Sequence, residues 1–251
     1  MTKKILKAGV FDSGVGGLSV VKSLIKEGLF EEIIYYGDTA RVPYGTKDKN
    51  TIIRYALEAL EFFKNFDIDI LITACNTVSA YAIEELKAQA PFEVIGVIEP
   101  GVIALENRVK DKNSNILITG TNATIKSGKY KKLLQDRGYT NLQEKATGLF
   151  VPMVEEDIYK GKVTNAIMEH YFDDIQKPDV LIMGCTHFPL IENEYKNFFK
   201  DTVLIHSGEA IVEYLQNEFT FDKFFKDTHI KYFATENPDH LKDTAQKWLS
   251  F

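Results

Sequence analysis

Apolar and polar positions along this chain alternate between two periods. Short β-branched runs ending in turn residues predict strands at Leu6–Phe11, Ile33–Tyr36, Ile70–Thr73 and Val94–Val97. Between them, apolar residues recur at helical spacing over Leu18–Lys26, Thr51–Phe66 and Val78–Gln89. Strand alternating with helix implies parallel strands joined by crossovers, hence an α/β sheet covered on both faces.

The same order then returns. Ile116–Thr121 answers the first strand and Leu142–Ala146 the second. Asp179–Thr186 answers Asp69–Asn76, and Val203–Ile205 answers the fourth strand, all at an offset of about 110 residues. A constant offset over four elements predicts two similar parallel-sheet α/β domains related by internal duplication, with the active site in the cleft between them. After Ser207 the pattern predicts a helix at Ala210–Glu218, a strand at Ile230–Ala234 and a helix at His240–Leu249, with Pro238 just before it. The second half is complete by then, so this tail is expected to pack back on the first. The expected division is residues 1–98 plus 210–251 for one domain and 99–209 for the other. Pro100-Gly101 and Ser207-Gly208 are then the crossings and the expected hinges.

Composition narrows the function classes. With 251 residues, 45% hydrophobic and 26% charged, the chain has ample material for a core. Thirty basic against 36 acidic residues leave a net charge of −6, which argues against a nucleic-acid or polybasic membrane-binding surface. No run of about 18 apolar residues exists to span a bilayer. The basic start Met1–Lys7 is broken at once by Lys7, Gly9 and Asp12, so an export segment is not expected and a cytoplasmic protein is.

Cys75 and Cys185 are the only cysteines. Two thiols make no disulfide framework and are expected to be free in a reducing compartment. Only Cys185-Thr186-His187 brings two metal-type ligands together, so no metal site is expected. Most free cysteines are buried core residues. The repeat changes that reading, because each thiol falls just past the carboxyl end of the third strand of its half. That edge is where open α/β sheets bind ligands. Two halves facing each other there put one thiol on each side of a shared cleft.

The loops around the cleft are polar. Gly14-Val15-Gly16-Gly17 follows the first strand and matches a dinucleotide fingerprint only in part, since Ser19 stands at the third glycine position. Small residues at a helix N-terminus still offer backbone N–H groups to an anion, a carboxylate included. Asp12 at this turn is either a helix cap or a partner for an ammonium or a thiol. Tyr44 and Gly45, after the second strand, are expected to face ligand with a hydroxyl and an N–H. Asn76, Thr77, Thr121, Thr124 and Thr186 all lie just past strand ends. Singly each suits a turn; five around one cleft point to a small, doubly charged, polar substrate.

Two opposed thiols can take a proton from one face of a carbon and return another on the opposite face, inverting the centre. The α-hydrogen of an amino acid is a very weak acid, so such a site must stabilise developing charge with fixed donors and exclude water. Asp12 near Cys75 and His187 beside Cys185 are suited to shuttle protons to the thiols.

Phe11-Asp12-Ser13-Gly14-Val15-Gly16-Gly17-Leu18-Ser19, Pro43-Tyr44-Gly45, Ala74-Cys75-Asn76-Thr77 and Gly184-Cys185-Thr186-His187-Phe188-Pro189-Leu190 closely resemble the glutamate racemases of the aspartate/glutamate racemase superfamily. The resemblance runs over essentially the whole chain, in order. It implies cofactor-independent interconversion of L- and D-glutamate in the bacterial cytoplasm, supplying D-glutamate for peptidoglycan, by an enzyme that is often a homodimer. It also implies catalytic roles for Cys75, acting on D-glutamate, and Cys185, acting on L-glutamate, assisted by Asp12, His187 and Glu155. Asp12, Ser13, Tyr44, Gly45, Asn76, Thr77, Thr121, Thr124, Thr186 and His187 would line the substrate site. The segment around Glu155 departs from the family pattern, and the neighbouring Glu156 competes for its place.

Three other readings stand beside this one. A relative acting on another small acid, such as an aspartate racemase, maleate isomerase or malonate decarboxylase, would differ in pocket length. A two-domain amino-acid binding protein has no use for paired thiols. A dithiol redox enzyme would be expected to carry Cys-x-x-Cys, which is absent.

Overall fold

The computed structural model describes residues 6–221 and 223–250. Met1–Ile5, where the leader reading falls, lies outside them. The chain opens with β1 (Lys7–Asp12), α1 (Leu18–Lys26), β2 (Glu32–Gly37), α2 (Lys49–Phe63), β3 (Ile70–Thr73), α3 (Asn76–Tyr81), α4 (Ile83–Gln89) and β4 (Glu93–Gly96). Then follow α5 (Ile98–Arg108), β5 (Ile116–Gly120), α6 (Asn122–Lys126), α7 (Lys129–Asp136), β6 (Leu142–Ala146), α8 (Phe150–Glu155), α9 (Lys162–Phe172), β7 (Val180–Gly184), α10 (Glu192–Phe199) and β8 (Val203–His206). The tail adds α11 (Ser207–Glu218), β9 (His229–Ala234) and α12 (Pro238–Leu249).

Two parallel sheets form, ordered β4-β3-β1-β2-β9 and β6-β5-β7-β8. Read from its other edge, the second sheet repeats the order of the first four strands, as the 110-residue periodicity requires. The tail does return to the first half: β9 pairs in parallel with β2, from Glu32 opposite His229 to Gly37 opposite Ala234.

The inner strands β3, β5 and β7 read as near-continuous apolar runs because both faces are covered. Alternate residues serve different cores. Ala8, Val10, Ile70 and Ile72 join one cluster while Phe11, Leu71 and Val94 join another under α2–α4. In the second sheet Leu117, Leu181 and Met183 share the first of these clusters, and Ile116, Ile118, Val180 and Ile182 pack toward α5 and α7. One apolar cluster thus draws on both sheets.

Several expectations need adjusting. The helix read as Val78–Gln89 is two helices, broken where Ala82 takes φ −118° and ψ 0°. With the break there, Val78, Ala82, Ile83 and Leu86 all reach the same core. The crossings are not loops. Pro100-Gly101 lies in the first turn of α5, where a proline lacks no needed N–H, and Ser207-Gly208 begins α11. A movement of one half against the other would therefore turn packed helices rather than bend a linker.

Candidate active site

The carboxyl ends of β1 and β3 face those of β5 and β7, and the loops between them close a narrow pocket. Ser13, Val42, Pro43, Tyr44, Gly45, Cys75, Asn76, Thr77, Thr121, Val151, Gly184, Cys185, Thr186 and His187 line it. Its volume is about 350 Å³.

Both thiols are free and buried, each about 6% exposed. Cys75 caps α3 one residue beyond Ala74, which follows β3, and Cys185 follows β7 directly. Their partners differ. Cys75 Sγ donates to Ser13 Oγ at 3.6 Å. Cys185 Sγ lies 3.7 Å from His187 Nδ1, and His187 Nε2 lies 3.0 Å from Glu155 Oε1. Glu155 is thus the carboxylate that meets the site, while exposed Glu156 caps the end of α8.

Electrostatics separates the two sides. Burial first, and the Asp12 carboxylate second, push the Cys75 thiol up to about 12, so at neutral pH it carries its proton. Burial works against the His187 imidazolium, but hydrogen bonds with Cys185 and Glu155 outweigh it and raise its pKa to about 10. As a cation His187 donates through both ring nitrogens, which suits a sulfur on one side and a carboxylate on the other. Asp12, fully buried, has its pKa raised by burial although the His187 charge and the N–H groups of Gly14 and Gly17 favour its anion.

Asp12 does not cap α1, which starts after Gly17 without a side-chain cap bond. Its Oδ2 accepts from Gly14 N at 3.0 Å, and its Oδ1 accepts from Thr186 Oγ1 of the other half at 3.4 Å. The glycine turn therefore does not leave an open anion cradle, because Asp12 already fills it. Its glycines serve close approach instead. A Cβ on Gly16 would lie 2.4 Å from Thr186 Oγ1 and 2.5 Å from the His187 ring. A Cβ on Gly45 would likewise meet Thr121 at 2.4 Å. These are contacts between loops of the two halves, and only glycine permits them.

The threonines form one constellation. Thr77, Thr121 and Thr124 place their hydroxyls 3.0 Å from one another. Tyr44 differs from expectation. Its ring lines the pocket, but its hydroxyl donates to buried Asp38, which also accepts from Arg41 Nε at 2.7 Å and from Thr235 at 2.9 Å. A buried carboxylate this well supplied with donors outcompetes a ligand for the phenol, so Tyr44 shapes the wall and does not offer its hydroxyl.

Sequence reasoning missed Tyr35, whose hydroxyl donates to the Gly14 carbonyl at 2.8 Å, and Asp38, which fixes the Tyr44 loop. It also missed Trp248 of α12, whose ring stands edge-on to His187 with centroids 6.4 Å apart. No local pattern marks these three; Tyr35 and Trp248 matter through distant partners, and Asp38 through the fold of its own loop. Among the described residues, no cluster of three or more His, Cys, Asp or Glu is placed to hold a metal ion, and no helix is long and apolar enough to cross a membrane.

Known proteins similar to this chain show its family. The Asp/Glu/Hydantoin racemase family matches residues 19–215. A glutamate racemase from a Nitratiruptor species is 64% identical over 245 residues, spanning 97% of this chain and 96% of its own. The chain belongs to the glutamate racemase family. The crystal structure of the racemase from Campylobacter jejuni subsp. jejuni superposes with a TM-score of 0.96 at 55% identity, covering 97% of this chain and 98% of that one. The racemase from Francisella tularensis subsp. tularensis, solved in complex with D-glutamate, gives 0.85 at 30% identity over 97% and 93% of the two chains. The fold of two parallel-sheet α/β units is thus common to all three.

The raised pKa of Cys75 gives a direct expectation. Below pH 12 its thiolate fraction, and with it the rate of alkylation by iodoacetamide, should climb about tenfold per pH unit. Asp12→Asn removes the charge that helps hold the thiol up, so this variant should react faster at Cys75 at pH 8. Peptide-resolved mass spectrometry would measure both effects, and a Cys75 rate independent of pH between 7 and about 10 would contradict the assignment.

Proposed function

We propose that this protein interconverts L- and D-glutamate by two-base proton transfer at Cα, with Cys185 serving the L enantiomer and Cys75 the D enantiomer. The observation that carries this reading is the pair of buried thiols at equivalent strand ends, both lining one pocket. Cys75, resting as a thiol, is ready to donate. In the L-to-D direction Cys185 as thiolate removes the α-proton, and Cys75 delivers its own to the opposite face. The product leaves Cys75 as thiolate and Cys185 as thiol, and the reverse reaction starts from that state. His187 exchanges protons beside Cys185 and is oriented by Glu155. Asp12 sets the proton affinity on the Cys75 side.

The α-carbanion character that develops needs positioned donors. The amide of Asn76, the hydroxyls of Thr77, Thr121, Thr124 and Thr186, and the Ser13 and Gly45 loops supply them. Residues 1–98 with 210–251 on one side and 99–209 on the other would open to admit glutamate and close to exclude water. The same proposal includes a homodimer, testable by sedimentation, and a role supplying D-glutamate for bacterial peptidoglycan in the cytoplasm.

Chelator-dialysed protein, checked by absorbance for bound chromophore, should drive the optical rotation of L-glutamate to zero. In D₂O the product should carry deuterium at Cα. L-Aspartate under the same conditions should change far more slowly. Activity that returns only on adding a metal or pyridoxal phosphate would overturn the mechanism, and preference for aspartate would overturn the substrate.

A further inference from the structure

Asn76 follows Cys75 and opens α3, yet its side chain is held from the other half. Tyr130 of α7 donates its hydroxyl to Asn76 Oδ1 at 2.7 Å. On the other side of the amide, Asn76 Nδ2 donates to Ser207 Oγ at 3.1 Å. Asn76 and Tyr130 are each 2% exposed and Ser207 is 4% exposed. Ser207 also lies against the Tyr130 hydroxyl, so the three groups form one buried knot.

The place of Tyr130 is unusual. A Cβ on Gly101, at the first crossing, would lie 3.4 Å from its hydroxyl. A Cβ on Gly184, just before Cys185, would lie 3.2 Å from its ring. Ser207 is the second crossing. One side chain therefore touches both crossings, the strand end that carries Cys185 and the residue next to Cys75. The ring takes its reference from the second half, and the hydroxyl transmits it to the first.

We propose that Tyr130, with Ser207, is a positioning residue that fixes the Asn76 amide and thereby the Cys75 end of the site relative to the Cys185 end. The bonds satisfy the amide oxygen and one amide N–H, which sets which end of the amide faces the knot. One N–H remains for an anionic group of a ligand. Without the tyrosine hydroxyl, the Asn76 oxygen is buried and unpaired, and the amide and the start of α3 are free to seek another arrangement. This role rests on the two-thiol reading for its catalytic meaning, but the positional effect on Cys75 does not.

The test is Tyr130→Phe, which keeps the ring on Gly184 and Gly101 and removes only the hydroxyl. Iodoacetamide labelling of the free protein, resolved by peptide mass spectrometry, needs no turnover. Cys75 should label at least about fivefold faster than in the unaltered protein, while Cys185 stays within about twofold. Ser207→Ala approaches the amide from its other side and should give the same selectivity, which keeps the test available if Tyr130→Phe does not fold. Equal acceleration at both thiols would indicate general loosening and overturn the proposal, as would no change at either. In the racemase assay, kcat/KM should fall about tenfold in Tyr130→Phe. The double variant with Asn76→Ala should be no slower than Asn76→Ala alone, because the tyrosine acts through that amide. Multiplicative losses would also overturn it. If the unaltered protein does not turn over glutamate, the functional reading fails while the labelling still decides this one.

Discussion

Cys75→Ser and Cys185→Ser should each abolish racemisation in both directions, with kcat reduced by more than about a thousandfold. In the proposed two-base cycle every turnover uses one sulfur as base and the other as acid, so losing either stops it from both sides. Serine is nearly the same size, so the packing around two almost fully buried positions should survive. Its hydroxyl is a far weaker acid and cannot supply the thiolate at accessible pH. Binding should persist, because the threonine hydroxyls and the Asn76 amide remain; calorimetric titration with D-glutamate would show affinity within about tenfold of the parent. Retention of more than about a tenth of the parent kcat, a loss under about 1.4 kcal/mol, would mean that the replaced sulfur transfers no proton.

Asp12→Asn and His187→Asn should each lower kcat/KM by about a hundredfold, the range expected for lost proton-transfer assistance. One variant cannot damage one direction alone. L- and D-glutamate are mirror images with an equilibrium constant of one, so kcat/KM must remain equal for the two enantiomers in every variant. The asymmetry belongs in the isotope effects. Asp12 weighs on the Cys75 thiol, so Asp12→Asn should make the step at Cys75 the slower one. The primary effect with α-deuterated D-glutamate should then rise and that with L-glutamate fall. His187→Asn, acting beside Cys185, should do the reverse. Equal effects in both directions for both variants would assign these residues to shared charge stabilisation, a role that the Asp12–Thr186 bond across the cleft would then explain.

The strands and most helices were legible in the sequence because period and turn chemistry are properties of neighbouring residues. The run Ile70-Leu71-Ile72-Thr73 is a strand wherever it is placed, and its repeat at Val180–Gly184 announced the duplication. Duplication in turn brought Cys75 and Cys185 to matching edges, since equal topology gives equal strand ends. The return of Ile230–Ala234 to the first sheet also followed, from a second half already complete.

What the sequence left open was decided by pairings between residues far apart along the chain. Asp12 meets Thr186 across 174 positions, and Tyr130 meets Asn76 across 54. The contact of Asp12 with Thr186 turned the glycine turn from an anion cradle into a packed seam, while a much nearer pairing, six positions apart, took the Tyr44 hydroxyl to Asp38. A further pairing, within the second half, joins Glu155 and not Glu156 to His187. Secondary structure follows from steric and apolar preferences that each residue carries with it. The direction of a buried polar group follows from which partner satisfies it, and that partner is in place only once the chain has folded.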